Sequence, residues 1–409
     1  MSAGPRPSLL PEPEVYKVAA SGAPATAGDR SGVRVHGVFR ALEGMQKEAM
    51  VGTDGPDGAW WRLVSDEGPY LNGTDLAPYP LAFFAAALQV SFLSELDRAA
   101  ATAGVALSAV ATHLDTRYTM AGSALRGDMT GGAEPAALRV SLATDAPADV
   151  VARLVLDAEA SSPAHAVMRV PAESRFTLVA NGRDVALPGA EAAPVPAVDP
   201  RPVFDTMRRA SPDTWWPGII TRTVASPLVH GAPGGAGSSL QAEQKRTLHV
   251  VSTGGRAGAG AMAVDVGLRQ PVGSTFRFLA PARGVGRAGE PAPSALVYLA
   301  AGVGFCFLTQ LGRYAHITKQ KVHGVRLAQA SEFRRSVRGR WTPQPVTTGV
   351  FLDSDGDDAD AARMVAMGRQ TCFLHAAMRA ALPTRMEVVL NGRPLPAPLL
   401  ASAAAAAGD

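Results

Sequence analysis

The stretch Gly302-Val303-Gly304-Phe305-Cys306-Phe307-Leu308-Thr309-Gln310-Leu311 lies in an apolar run, Leu296 to Ile317, with no acidic residue and no proline. Such a run is too long for a strand and predicts a helix buried on most of its circumference, with a thiol at its centre. A second cysteine, Cys372, falls in the next strongly helical run, Ala359 to Ala381, and the chain has only these two. The stretch also has a twin. Moving back 215 positions sets Ser91 on Cys306, Phe92 on Phe307, Leu93 on Leu308 and Leu96 on Leu311. Pro78 falls on Pro293, Leu81 on Leu296 and Arg62 on Arg277.

Further along, the offset drops to 210. Ser162 then falls on Cys372, His165 on His375, Met168 on Met378 and Arg169 on Arg379. The closing Asn181-Gly182-Arg183 falls on Asn391-Gly392-Arg393. That many ordered coincidences predict two copies of one unit. A shorter loop in the second copy accounts for the drop of five. Both cysteines belong to the second copy, and the first has serine at both places.

Length and composition agree with two units. The chain has 409 residues, 47% of them hydrophobic, enough for sizeable cores. A net charge of +3 gives no bulk electrostatic case for nucleic acid. The N-terminus, Met1-Ser2-Ala3-Gly4-Pro5-Arg6, has no apolar core of the signal-peptide kind. The two apolar helical runs are read as core helices, not membrane spans, because Glu95, Asp97 and Arg98 break the first and strand-rich segments follow both. Two cysteines without a staple pattern point to a reducing cytoplasm, where a cysteine pair more often means chemistry or metal than structure.

In chain order, residues 1–31 read as a flexible N-terminal arm, 32–185 as the first unit and 186–240 as a linker, partly ordered around Trp215 to Ile220. The second unit covers 241–396, and 397–409 reads as a disordered tail. Within each unit, strands precede a central helix, further strands follow it, and a second helix leads to a closing strand. Ser162-Pro163 should break the first unit's second helix; the second unit's, Asp360 to Ala381, should run on.

This order resembles the OsmC/Ohr family of osmotically inducible and organic hydroperoxide resistance proteins. Three places carry the likeness: Gly254-Gly255-Arg256-Ala257-Gly258 between two strands, Leu299 to Phe307 around Cys306, and Cys372 three residues before His375. The resemblance implies an α+β fold with two such domains in one chain, an intramolecular pseudo-dimer. Each domain would be a strongly curved antiparallel sheet with two central helices. Members of the family are thiol peroxidases, so the resemblance implies Cys306 as the peroxidatic thiol, Cys372 as the resolving thiol and Arg256 as the guanidinium partner. A cation beside a thiol lowers its pKa from about 8.5, and a second thiol within reach traps the sulfenic acid. The family's glutamate follows a proline shortly before the first cysteine helix. Here Ser294 follows Pro293, and Glu290 lies close but outside the motif.

His375, one turn from Cys372, could assist it, although His165 stands at the matching place without a cysteine. A single enlarged apolar pocket between the copies could be lined by Phe305, Phe83, Phe84 and Trp61. The partners expected are a small apolar substrate such as an organic hydroperoxide and a thiol reductant, with no cofactor, metal, nucleic acid or membrane. The assembly expected is a monomeric pseudo-dimer or a dimer of it. Two alternatives stand beside the peroxidase: a hydrolase or acyl-transfer enzyme using Cys306 as nucleophile on a bulky apolar substrate, and a non-catalytic small-molecule binder.

Overall fold

The computed structural model describes residues 8, 14–19, 32–54, 58–189, 198–227, 243–258, 260–282, 290–337 and 339–408. The first half runs β1 (Tyr16–Lys17), β2 (Gly32–Ala41), β3 (Lys47–Thr53), β4 (Trp60–Ser65), α1 (Pro80–Thr102), β5 (Ala109–Ser123), β6 (Thr130–Ala133) and β7 (Ala137–Ala143). It closes with α2 (Ala148–Ser161), α3 (Pro163–Arg169), β8 (Arg175–Ala180) and β9 (Arg183–Val185). The connection carries α4 (Arg201–Thr206) and β10 (Ile220–Val224). The second half runs β11 (Glu243–Arg256), β12 (Ala261–Gln270), β13 (Thr275–Pro281), α5 (Ala295–Thr318), β14 (Val322–Arg335), β15 (Trp341–Pro343) and β16 (Thr347–Ser354). It ends with α6 (Asp358–Thr371), α7 (Phe373–Ala380), β17 (Arg385–Leu390), β18 (Arg393–Pro394) and α8 (Ala397–Gly408).

These elements make an α+β protein with two nine-stranded sheets, and each sheet takes strands from both halves. One has the order β1-β4-β3-β2-β14-β16-β8-β9 with β15 also paired to β14, the other β10-β13-β12-β11-β5-β7-β17-β18 with β6 also paired to β5. The registers repeat with the offsets found in the sequence. Val35 pairs with Ser331 in one sheet, and Val250 with Thr116 in the other. Thr347 pairs with Arg175, and Arg385 with Ala137.

This topology corrects the expected antiparallel sheet. In each sheet one pair is parallel, β16 with β8 and β7 with β17. The reason is that each half's closing strand returns to the sheet begun by its own first strands and is laid there beside a strand of the other half. Residues 32–185 and 241–396 therefore do not own separate sheets.

Helices α1 and α5 cross between the sheets, α1 on β11 and β12, α5 on β2 and β3. Helix α5 is long and apolar enough to span a membrane, and 89% of its apolar window is buried inside the molecule. Its glycines set the fit. A Cβ on Gly302 would stand 3.1 Å from the Phe84 amide nitrogen of α1, and one on Gly304 would fall within the Phe39 ring. The approach of α5 to α1 thus needs a bare backbone at Gly302, and its packing on β2 needs one at Gly304.

Three expectations change with the structure. The break at Pro163 is present, but α6 and α7 are also broken, at Cys372, which is extended with φ −69° and ψ 116° and has no proline after it. The segment expected as a tail is the helix α8, packed on α2; alanine and leucine are strong helix formers, and Leu400 adds to the core. Within the expected arm, Tyr16 and Lys17 pair with Arg62 and Trp61 of β4. Most of residues 1–31 and of the stretch 228–242 lie outside the described residues.

Candidate functional site

Cys306 sits mid-way along α5 at 2% exposure, and Cys372, fully buried, occupies the break between α6 and α7. They are free thiols in contact through a hydrogen bond. The break turns the amino end of α7 toward them. The Leu374 amide favours ionisation of Cys306 and the His375 amide that of Cys372, as free N–H groups at a helix start do for anions. Burial pushes the Cys306 thiol well up, and Cys372 beside it adds to that. Cys372 is also opposed by burial, but the Cys306 S–H and the nearby His375 outweigh it and hold its thiol well down. The pair therefore loses one proton readily and the second with difficulty.

The first half shows the same skeleton in oxygen. Ser91 Oγ lies 2.6 Å from Ser162 Oγ, which is 2.9 Å from His165 Nδ1. The Ala164 and His165 amides donate to the two hydroxyls, both at 3.3 Å. The hydroxyls and imidazole are buried, and among the described residues His165 Nε2 has no hydrogen-bond partner, so no acid completes a nucleophile relay there. Burial, then Arg169, pushes His165 down to about 3, so the ring is neutral. His375 occupies the matching place in ring contact with Phe307 and Phe176. Neither of its ring nitrogens makes an ordinary hydrogen bond.

Around Cys306 the first half supplies what sequence reasoning missed. Lys47 of β3 and Glu67, just past β4, are 2% and 3% exposed and pair at 3.7 Å. Lys47 Nζ donates to the Met45 carbonyl at 2.6 Å. Glu67 accepts from Thr309 at 2.8 Å and from the Tyr70 hydroxyl at 2.5 Å. Thr309 lies one turn beyond Cys306 on α5. Burial lowers the Lys47 pKa, opposed by Glu67, Asp66 and a charge on Cys306. Arg313, one further turn along, is pushed down to about 10 by burial and by Arg246, opposed by Glu67 and a charge on Cys306. A pocket of about 280 Å³ reaches this group. Lys47 and Thr309 line it, with Met45, Leu308, His316 and Met364.

The twin positions were the available signal. On the 215 offset Lys47 meets Met262, Glu67 meets Ala282, and Thr309 meets Ser94, whose hydroxyl contacts the Met262 sulfur at 3.8 Å. The residues chosen from sequence scatter instead. Arg256 is not at the thiols: its guanidinium binds Asp97, at the far end of α1, and the Leu107 carbonyl at 2.8 Å. Phe305, Phe83, Phe84 and Trp61 are fully buried and line none of the described pockets. Phe305 packs edge-on against Phe39 at 5.5 Å and tilted against Phe83 at 5.3 Å, so these rings are packed within the core. Glu290 is buried near Lys17, whose Nζ donates to the Glu290 carbonyl. Among the described residues no three His, Cys, Asp or Glu side chains gather as metal ligands.

No protein-family model matches the chain, and no curated protein does. One solved structure is similar to part of it, an OsmC-like hydroperoxide resistance protein from Jannaschia sp. CCS1. The identity is 19%, the match covers 31% of this chain and 83% of that one, and the TM-score is 0.19. A likeness at that level carries no argument about fold or function.

Proposed function

We propose that the chain is a single-chain pseudo-dimer of two OsmC-like halves with one cysteine-based peroxidase site, acting on an organic hydroperoxide. The observation that carries this reading is co-occurrence. The two thiols, the Lys47–Glu67 pair and Thr309 share one site, and their twins are Ser91, Ser162, Met262, Ala282 and Ser94. Thiols kept only as small core residues give no reason for a buried ion pair to lie beside them, since such a pair carries a desolvation cost. Lys47, Arg246 and Arg313 face the carboxylates of Asp66 and Glu67 there. One thiolate balances the charge.

In this reading the one proton the pair retains passes from Cys306 to Cys372 across their hydrogen bond, and the Cys306 thiolate attacks the outer peroxide oxygen. The O–O bond breaks, Cys306 becomes a sulfenic acid, and the alkoxide leaves as the alcohol after taking a proton. Lys47 and the α7 amides stabilise the thiolate and the departing charge. Cys372 then attacks the oxidised sulfur, the disulfide forms and water leaves. A dithiol reductant returns the pair to thiols, as a reducing cytoplasm would allow.

The test is turnover of tert-butyl hydroperoxide with dithiothreitol. Cys306→Ser should abolish it, and Cys372→Ser should be oxidised once and then stall. Full steady-state turnover by Cys372→Ser, or acylation of Cys306 by an activated ester with no disulfide under peroxide, would overturn the peroxidase and favour a hydrolase.

A further inference from the structure

The two halves differ at a second place, on the outer side of the second-half helices. In the first half Arg169 of α3 reaches back to the end of α2. It donates to Glu159 Oε1 at 2.7 Å and to the Glu159 and Ala160 carbonyls at 2.7 and 2.9 Å. On the 210 offset the twin of Arg169 is Arg379, and the twin of Glu159 is Arg369. Arg379 still reaches back, to the Arg369 carbonyl at 3.3 Å, but the carboxylate that met its partner is replaced by a second guanidinium. An internal ion pair has become two like charges.

Both arginines line a pocket of about 560 Å³ with Ser174, Gln370, Gly189 and Glu173. Among the described residues Glu173 is the one acid on its wall, and it is exposed. Arg369 is held in place from two sides. Its guanidinium lies 5.2 Å over the Phe176 ring and donates to the Gly189 carbonyl at 3.3 Å. Burial, then Arg379, pushes its pKa down from the usual arginine range, opposed by Glu173. Like charges on one pocket wall are unfavourable unless an anion lies between them, and two planar guanidinium forks suit the oxygens of a carboxylate or phosphate.

We propose that Arg369 and Arg379 form a binding site for a compact oxyanion, a phosphate or carboxylate group, present in the second half only. The site is separate from the thiols. Neither thiol lines its pocket, and Phe176 packs against both Arg369 and, at 5.5 Å, the His375 ring. The proposal therefore holds whether or not the dithiol is a peroxidase.

The test uses the full chain and the twin as its design. Arg369→Glu copies the first half's ion pair, so it should fold with a melting temperature at or above that of the wild type. Inorganic phosphate, titrated at constant ionic strength against chloride, should raise the wild-type melting temperature saturably. The rise should be absent in Arg369→Glu and at least tenfold weaker in apparent affinity in Arg379→Gln, a change of about 1.4 kcal/mol. Parallel arms with acetate and with phosphatidic acid vesicles separate the sources: a response to phosphate or acetate assigns a free anion, and one to vesicles alone assigns a lipid headgroup. No saturable response in any arm, or an equal response in Arg369→Glu, would overturn the site.

Discussion

Lys47 and Glu67 are expensive residues to keep. Each is almost fully buried, and a charge taken from water is tolerated only where a partner and hydrogen bonds replace the hydration. The second half shows what the fold needs without them, because Met262 and Ala282 occupy the matching places there. The double variant Lys47→Met with Glu67→Ala should therefore fold while losing peroxide turnover by about a hundredfold, or ~3 kcal/mol of transition-state stabilisation. Unchanged kcat/KM in this variant would remove the pair from the mechanism. The thiols were legible in the sequence because cysteine is rare and each falls in a helix with a serine twin. Lys47 and Glu67 were not, because they are joined to α5 only by pairing across halves, with 242 positions separating Glu67 from Thr309. Arg256 was placed at the thiols by the resemblance alone; it lies at the end of β11, and its side chain meets Asp97 of α1. His165 adds a pH effect. Its folded pKa of about 3 is below the unfolded value of 6.5, so the unfolded chain binds the proton first. The stability it lends is complete above pH 6.5 and is lost as pH falls toward 3, by at most about 5 kcal/mol. His165→Gln should show a shallower acid limb in urea unfolding, and a limb of unchanged slope would exclude this residue as a source.

At the scale of elements, α5 is both the core's largest helix and the mount of Cys306. Its apolar length was evident in sequence, whereas what its glycines are for was not. They prove to be the points where other elements come closest, α1 at Gly302 and the Phe39 ring at Gly304. In the other helix α1 carries Ala87 and Gln89 at the twin positions, and Gln89 donates to the Ser252 carbonyl at 3.1 Å. The two helices are thus not interchangeable. Gly304→Ala gains helix propensity of up to about 1 kcal/mol but must displace a fully buried ring, an overpacking cost of about 1–3 kcal/mol. The expected net effect is destabilisation with a fall in turnover, since Cys306 is two residues on and moves with the backbone. A variant more stable than wild type by calorimetry would mean that Phe39 has room to turn aside. The break at Cys372 had no sequence signal, because Phe373 stands where the first half has Pro163. The reason for it is seen only in space: the α7 amides meet both thiols.

At the scale of the molecule, the strand exchange decides how the chain holds together. β2, β3 and β4 of the first half are joined by β14 and β16 of the second before β8 of the first closes the sheet, and the other sheet mirrors this. The repeat was legible because it is one-dimensional, a matter of offset. The exchange was not, because the same strand order serves two beads or one interlocked body. If the halves share sheets, neither can lose its hydrogen-bonded neighbours without exposing the edges of the other. Unfolding should then be a single transition. Trp61 in the first half and Trp341 in the second give a direct readout, since both are buried and both lie in the same one of the two shared sheets, on β4 and β15. Variants keeping only one or the other tryptophan should give the same urea midpoint by fluorescence, once each is referred to its own stability by circular dichroism. Their slopes with denaturant should match as well, at the value set by the surface of the whole chain. Two midpoints, each with the slope of a half-sized unit, would show the halves opening independently and would rule out the interlocked arrangement.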